Sequence, residues 1–430
     1  MEENFDITET EMPVPDSDTP KKPRGKRGVP VGAVVLICVL SVLVTAIATF
    51  FITASIYAVD PNSTLGRIYS KMSTLSKMVD QYYVRSVDDE TLTAYALKGY
   101  MYGIGDRYAD YYTKEEYESL MNNIEGSGVG VGINVVYDEE HEAIQIVNVV
   151  KDSPAEKAGV MVKDIITHVT SDGEKLAVKD IGYDAALDKM LGEVGTTASF
   201  TVMRGEDYSE TVEFTIERSQ FTNTSVLYHT YSLDNSVGII RITGFDYATP
   251  SQFKEATQKL IDNGAKAFII DVRNNPGGEL NSVCTVLDML LPEGPIIKTV
   301  DKSGAEIVAR TSDADRLDIP MAVIVNGNTA SAAELFCAAL KDYKLAHLVG
   351  TQTFGKGSMQ STFKLPDGSG VKMTTNLYNP PFSPNYDGVG VTPDVEVELD
   401  KDLQDKNSYL ITDEEDNQIA EAYRQLKTVN

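Results

Sequence analysis

Between Arg27 and Asp60 there is no charged residue, and Val29 to Val59 is nearly all apolar. A run this long exceeds the roughly 20 residues that span a bilayer. Hydrocarbon offers no partners to backbone N–H and C=O groups, so the segment is expected to cross as one helix, which restricts where everything after it can fold. A cleavable signal peptide is the competing reading, but its apolar part is about 7 to 15 residues and starts close to the N-terminus. Here the run is longer and begins late. Lys21, Lys22, Arg24, Lys26 and Arg27 stand just before it, and by the positive-inside rule they hold the N-terminus in the cytoplasm. The expectation is a single-pass protein of the plasma membrane, with everything after Asp60 outside.

Residues 1–28 are acidic and proline-bearing, with too little apolar surface to order themselves, and are expected to form a disordered cytoplasmic tail. The exported part holds 57 acids and 33 bases, a net charge of -24, which argues against a nucleic-acid partner and says nothing about fold. Cys38 lies in the apolar run, and Cys284 and Cys337 sit in apolar helical contexts, so no disulfide framework is implied. His141, His168, His229 and His347 are scattered and no Cys/His cluster is present; zinc chemistry is not expected.

A chain of 430 residues exceeds what one core supports, so two or three domains are expected. From Thr64 to about Asn123, Ile68, Met72, Leu75, Met78 and Val79 recur at helical spacing, continued by Leu92, Tyr95, Ala96 and Tyr100. A β-rich module then begins at Ser127-Gly-Val-Gly-Val-Gly-Ile-Asn-Val135. Its expected parts are a strand at 143–150, a short helix opened by Pro154 and closed by Gly159, a strand from Asp164, and a hairpin joining 198–203 to 210–217. From Val237 the texture changes to strands at 237–242, 267–272 and 321–326 alternating with helices at 250–263, 279–291 and 330–343. That alternation implies parallel βα units. A hairpin joins 360–365 to 370–377, and an amphipathic helix covers 413–426.

The chemistry is expected at two short stretches, Asn326-Gly-Asn-Thr-Ala-Ser331-Ala-Ala-Glu334 and Thr353-Phe-Gly-Lys356-Gly-Ser-Met-Gln360. A serine hydroxyl is a poor nucleophile until a neighbour takes its proton, and a desolvated, neutral lysine can be that neighbour. Gly355 and Gly357 allow tight packing around Lys356, and Gln360 is placed to hold the lysine amine. Ser331 begins a helix whose positive end favours an adjacent oxyanion. The glycines of Asp271-Val-Arg-Asn-Asn-Pro-Gly277-Gly278 expose further N–H groups. Taken singly, Ser331-Ala-Ala-Glu334 is a capping box, Lys356 a solvated turn lysine and Gln360 an exposed strand residue. Their conjunction carries the functional reading. The Gly277-Gly278 loop lacks the Gly-Lys-Ser/Thr ending of a P-loop, and the glycine run from 127 to 132 reads either as a bulged strand or as a nest for a peptide carboxylate.

From about residue 64 onward the chain resembles the C-terminal processing peptidases, or tail-specific proteases, which are serine proteases with an inserted PDZ domain. The resemblance rests on Asp106-Arg-Tyr-Ala-Asp-Tyr-Tyr-Thr, Asp152-Ser-Pro-Ala-Glu-Lys-Ala-Gly, Asp271-Val-Arg-Asn-Asn-Pro-Gly-Gly, Ser331-Ala-Ala-Glu, Phe354-Gly-Lys-Gly-Ser-Met-Gln and Val391-Thr-Pro-Asp. It implies an α/β protein with a crotonase/Clp-protease-like βα core and an inserted β-rich PDZ domain. An N-terminal helical region and one transmembrane helix complete the expected fold. The resemblance further implies Ser331 as nucleophile, Lys356 as general base and Gln360 as its orienting residue. Oxyanion donors are expected from Gly277, Gly278 and Ala332, and peptide contacts from Gly128, Val129, Gly130 and Val131.

Two departures touch loop geometry: Asn328-Thr-Ala-Ser331 stands where the family usually has Gly-Ser-Ala-Ser, and Lys163 replaces a common glycine. The expected domains are a tail at 1–28, a transmembrane helix at 29–59, a helical region at 60–119, a PDZ domain at 120–219, a protease core at 220–400 and a C-terminal helix at 401–430. No cofactor or metal is expected, the substrates are proteins with free C-termini, and self-association as a dimer is implied by resemblance. A membrane-tethered PDZ adaptor with a degenerate core is the rival of another class. A cell-wall acyl-transfer enzyme lacks its Ser-x-x-Lys motif here, since residue 334 is Glu.

Overall fold

The computed structural model describes residues 30–57, 60–171, 173–205, 207–404 and 406–427, so the expected tail at 1–28 lies outside the described residues. The chain divides into two compact units, Met1–Val87 and Asp88–Asn430. The helical region expected at 60–119 is therefore split between them.

In the first unit a helix covers Val31–Tyr57 and contains an apolar stretch, Val31–Phe50, long enough to cross a membrane. A second helix, Thr64–Tyr82, is started by Ser63, whose hydroxyl accepts the Gly66 N–H at 3.0 Å. Gly66 must be glycine, because a Cβ there would stand 2.0 Å from the Asp60 carbonyl oxygen. Leu65, Tyr69, Met72, Leu75, Met78 and Tyr82 of this helix remain exposed.

The centre of the second unit is a six-stranded sheet in the order Val226–Thr230, Val237–Ile242, Ala267–Asp271, Met321–Val325, Ala346–Gly350, Val395–Glu396. The first pair is antiparallel and the rest are parallel. Strands buried on both faces need continuous apolar runs, and Met321–Val325 is buried at every position. Ile240, Ile242, Phe268, Ile270 and Val323 pack on one face with the helices Thr249–Asp262, Leu280–Asp288 and Ala332–Asp342. Ile239, Ile269, Ala322 and Ile324 meet the helix Asn417–Leu426 on the other. The turns that follow Asp271 and Val325 thus emerge together at the carboxyl ends of adjacent parallel strands, where α/β folds place their sites.

An antiparallel sheet flanks this core. It joins Asp110–Tyr112, Gly370–Asn379, Gly294–Val300 and Glu306–Ser312, and Ser358–Lys364 pairs with Gly370–Asn379 as the hairpin expected at 360–377. The β-rich module forms a six-stranded antiparallel sheet around its own apolar core, including Ile144, Ile146, Ile166, Phe200 and Val202. A two-stranded ribbon of Ser127–Gly130 with Ser219–Thr222 connects the two ends of the module.

Candidate active site

Ser331 stands between the buried strand Met321–Val325 and the helix Ala332–Asp342. The turn before it is locked from inside: Thr329 Oγ1 donates to the Val272 carbonyl at 2.8 Å, and Asn328 Nδ2 donates to Asn274 Oδ1 at 3.0 Å. Asn328 and Thr329, two of the departures from the family pattern, thus contribute hydrogen bonds that hold the loop. Ser331 has φ 57° and ψ -119°, a conformation that residues with a Cβ rarely adopt and that a helix-capping serine does not use. Its carbonyl receives the Glu334 and Leu335 N–H groups at 2.9 and 3.0 Å. The capping box expected from Ser331-Ala-Ala-Glu334 is present, and in it the Glu334 carboxylate accepts the Ser331 N–H at 2.9 Å.

Glu334 does much more than cap. It is fully buried, and it also accepts Thr353 Oγ1 at 2.6 Å, the Gly355 N–H at 2.7 Å and the Lys356 N–H at 2.7 Å. One carboxylate therefore joins the serine turn to the lysine loop, with its buried charge spread over four donors. The glycines beside Lys356 are required by close approach: a Cβ on Gly355 would lie 2.9 Å from the Gly390 nitrogen, and one on Gly357 2.8 Å from the Asp387 nitrogen. Tyr378 Oη donates to the Lys356 carbonyl at 2.8 Å and Tyr386 Oη donates to Tyr378 Oη at 3.0 Å. Burial pushes both phenols well above their ordinary range, so they remain neutral donors.

Lys356 is half-buried, with its ammonium 4.4 Å from the centre of the Tyr108 ring. Among the described residues it makes no ion pair. Its pKa is lowered, first by burial and then by the charges of Lys372 and Arg107, against the opposing pull of Asp106 and Glu334. Those are the conditions that bring a lysine towards a neutral amine. Ser331, Ala332, Lys356, Gln360 and Gly278 line one cavity of about 490 Å³, closed on one side by Tyr117, Leu120, Met121 and Ile124 of the helix Lys114–Glu125.

Gln360 lies in this cavity but does not hold the lysine amine. Its Nε2 donates to Thr374 Oγ1 at 3.1 Å and Ser358 Oγ at 3.2 Å. A bulge between Met359 and Gln360 breaks the expected alternation and turns both into the cavity. The two glycines of the preceding loop also differ. Gly277 packs so closely that a Cβ would stand 2.8 Å from Ala332 N, and its own N–H is given to Asn275 Oδ1 at 2.8 Å. The Gly278 amide is used by neither bond that joins this loop to Phe245, and Ala332, as the first residue of its helix, has no intrahelical acceptor.

A profile of peptidase family S41 matches residues 236–397, the stretch that carries both loops. A CtpA-like serine protease of Staphylococcus saprophyticus is 30% identical over 403 residues, covering 93% of this chain and 80% of the relative. The chain belongs to peptidase family S41. As a member of these C-terminal processing, CtpA-like enzymes it is a serine-type hydrolase of peptide bonds. A candidate S41 protease from Bacteroides fragilis shares the mixed α/β fold, at 16% identity and a TM-score of 0.51, over 83% of this chain and 97% of that one. A photosystem II D1 C-terminal processing protease is similar at 27% identity, with a TM-score of 0.44, over 75% and 86% of the two chains.

In this S41 chain the residues named from the glycine run are away from the serine. Gly128, Val129 and Gly130 pair with Phe221, Gln220 and Ser219, while Val131 is buried in the module core, and none of the four lines the cavity at Ser331. A second cavity of about 440 Å³, between the module and the core, shares Ile124, Gly278 and Glu279 with it. Three contributors were missed from sequence. The Asp106-Arg-Tyr motif carried no assigned role, yet Asp106 accepts the Thr374 N–H at 2.7 Å and the Tyr108 N–H at 3.0 Å, which sets Tyr108 over Lys356. Glu334 was legible only as a capping partner, and nothing in the spacing marked Lys372.

Proposed function

We propose that this S41 peptidase acts through Ser331 and Lys356. The neutral lysine amine takes the hydroxyl proton as Oγ attacks the scissile carbonyl, and the oxyanion is met by the N–H groups of Gly278 and Ala332, with Gly277 serving by its close packing. Collapse of the tetrahedral intermediate transfers the proton from the lysine ammonium to the leaving amine. Water then cleaves the acyl-Ser331 ester by the same base, restoring both residues. Gln360 orders the cavity wall beside the lysine. The observation that carries the reading is that a serine held in an unusual backbone conformation and a half-buried lysine line one cavity.

The substrates on this reading are exported proteins, cut near their C-termini. The module expected at 120–219 is read as a PDZ-type tail receptor, supported by its antiparallel sheet, with Gly128 to Val131 kept as the expected peptide contacts. The apolar helix Val31–Tyr57 is read as a single anchor, with the N-terminus cytoplasmic and the catalytic unit outside the plasma membrane. The exposed apolar face of Thr64–Tyr82 supports association into a dimer. The core is read as 220–400 and the C-terminal part as 401–430, which holds the closing helix Asn417–Leu426.

The test uses the full chain in detergent with an unfolded protein substrate. Ser331→Ala and Lys356→Ala should each lower kcat/KM by about three orders of magnitude or more, with unchanged thermal midpoints. Undiminished cleavage by either variant would contradict the assignment.

A further inference from the structure

The cavity at Ser331 holds a second lysine that the chemistry above does not use. Lys372 sits on the strand Gly370–Asn379, opposite Thr362 and Asp110 in the two neighbouring strands, and it lines the same cavity as Ser331 and Lys356. It is half-buried, and its ammonium is 5.2 Å from the centre of the Tyr112 ring. Among the described residues it makes no ion pair.

The charges around Lys356 can be taken element by element. From the segment before Tyr108 come Asp106, which accepts two backbone N–H groups, and Arg107, which lies 4.7 Å from the Tyr108 ring centre and 5.1 Å from that of Phe354. From the serine helix comes Glu334, engaged by four donors. From the loop behind Gly357 comes Asp387, which accepts the Gly357 N–H at 2.8 Å. Across the cavity is Glu279, which accepts the Ser282 N–H at 2.7 Å. The buried hydroxyls of Tyr378 and Tyr386 are bonded to each other. Each of these acids is engaged by donors of its own, as is Asp110 opposite Lys372, which accepts the Tyr111 N–H at 2.9 Å, and Lys372 adds a second ammonium.

Resting on the reading of Lys356 as the base, we propose that Lys372 is a charge-tuning residue: its ammonium shares the cavity with Lys356 without an acidic partner and favours the unprotonated amine there. Two like charges in a partly desolvated space disfavour each other's protonated forms. The direction of the Lys356 shift, in which Lys372 follows burial as the next contributor, agrees with this geometry.

The experiment is the pH dependence of kcat/KM for the full chain in detergent, compared among wild type, Lys372→Met, Lys372→Gln and Lys372→Arg. Removing the charge should move the acid limb up by roughly 0.5 to 1 pH unit, so that activity below the limb falls about three- to tenfold. Lys372→Arg should leave the limb where wild type has it. Either neutral variant suffices, so the test survives poor folding of one. An unmoved limb in a folded neutral variant overturns the proposal. So does a rise in KM at every pH with no movement of the limb, which would make Lys372 a contact to substrate. Residual full activity in Ser331→Ala or Lys356→Ala would instead overturn the Ser-Lys reading itself.

Discussion

Glu334 shows how a single side chain can serve stability and chemistry at once. Its carboxylate accepts three N–H groups and a threonine hydroxyl from both catalytic loops, so replacing one oxygen by an amide turns an acceptor into a donor facing donors. Glu334→Gln is expected to lower kcat about ten- to a hundredfold with KM nearly unchanged, and to lower stability by about 1–3 kcal/mol, read by steady-state kinetics and denaturant melts. Gly277 is constrained by contact and conformation together, with φ 99° and no room for a methyl group beside Ala332 N and the Ser331 Cβ. Gly277→Ala should therefore reduce activity by on the order of a hundredfold, since the new methyl pushes the serine turn away from the donor loop. The sequence made Ser331, Lys356 and the glycines legible because their residue types and spacing are unusual. Glu334 was half legible: its i+3 position signals a cap, whereas its bonds to Thr353, Gly355 and Lys356 depend on a loop folded back from twenty residues on, which no local pattern contains.

Among the elements, the parallel strands at 237–242, 267–271 and 321–325 were legible because burial on both faces demands apolar runs such as Ala267–Asp271 and Met321–Val325, whereas Ala346–Gly350 and the two-residue Val395–Glu396 were not. Of the flanking sheet, the hairpin of Ser358–Lys364 with Gly370–Asn379 was legible and the other strands were not. Gly294–Val300 and Glu306–Ser312 are paired with a bulge, and Asp110–Tyr112 is a strand only because Gly370–Lys372 lies beside it, so its three residues carry no period of their own. The helix Lys114–Glu125 gained its role in the same non-local way, as the apolar wall of the cavity at Ser331. Filling that wall with Met121→Trp should lower kcat/KM for substrates with a bulky residue at the scissile bond about tenfold, while small ones are cleaved nearly as before. A uniform loss for all substrates would show that the helix supports the fold and does not shape the substrate site.

At the scale of the whole molecule, the glycine loop after Asp271 is tied to the last helix, on the far face of the central sheet, through Asp271 and Arg273. Burial acts to raise the pKa of this carboxyl, but Arg273 and Arg241 hold it well below the usual carboxylate range, and Arg273 also donates to Asp416 at 2.8 Å and Gln418 at 2.9 Å at the start of the last helix. An acid with a depressed folded-state pKa contributes stability that is complete above about pH 5, a unit above its unfolded value of about 4, and that is lost progressively as pH falls from there towards the folded-state value. Thermal midpoints of the full chain should fall over that range, and Arg273→Met, which leaves Asp271 with one cation, should lower stability by about 3 kcal/mol or more at neutral pH. The central claim is that Ser331 carries the acyl group. With an activated ester whose acylation outruns deacylation, acid quench and peptide mapping should find the acyl mass on the peptide containing Ser331 in wild type and nowhere in Ser331→Ala. An acyl group on another residue, or ester turnover undiminished in Ser331→Ala, would contradict it.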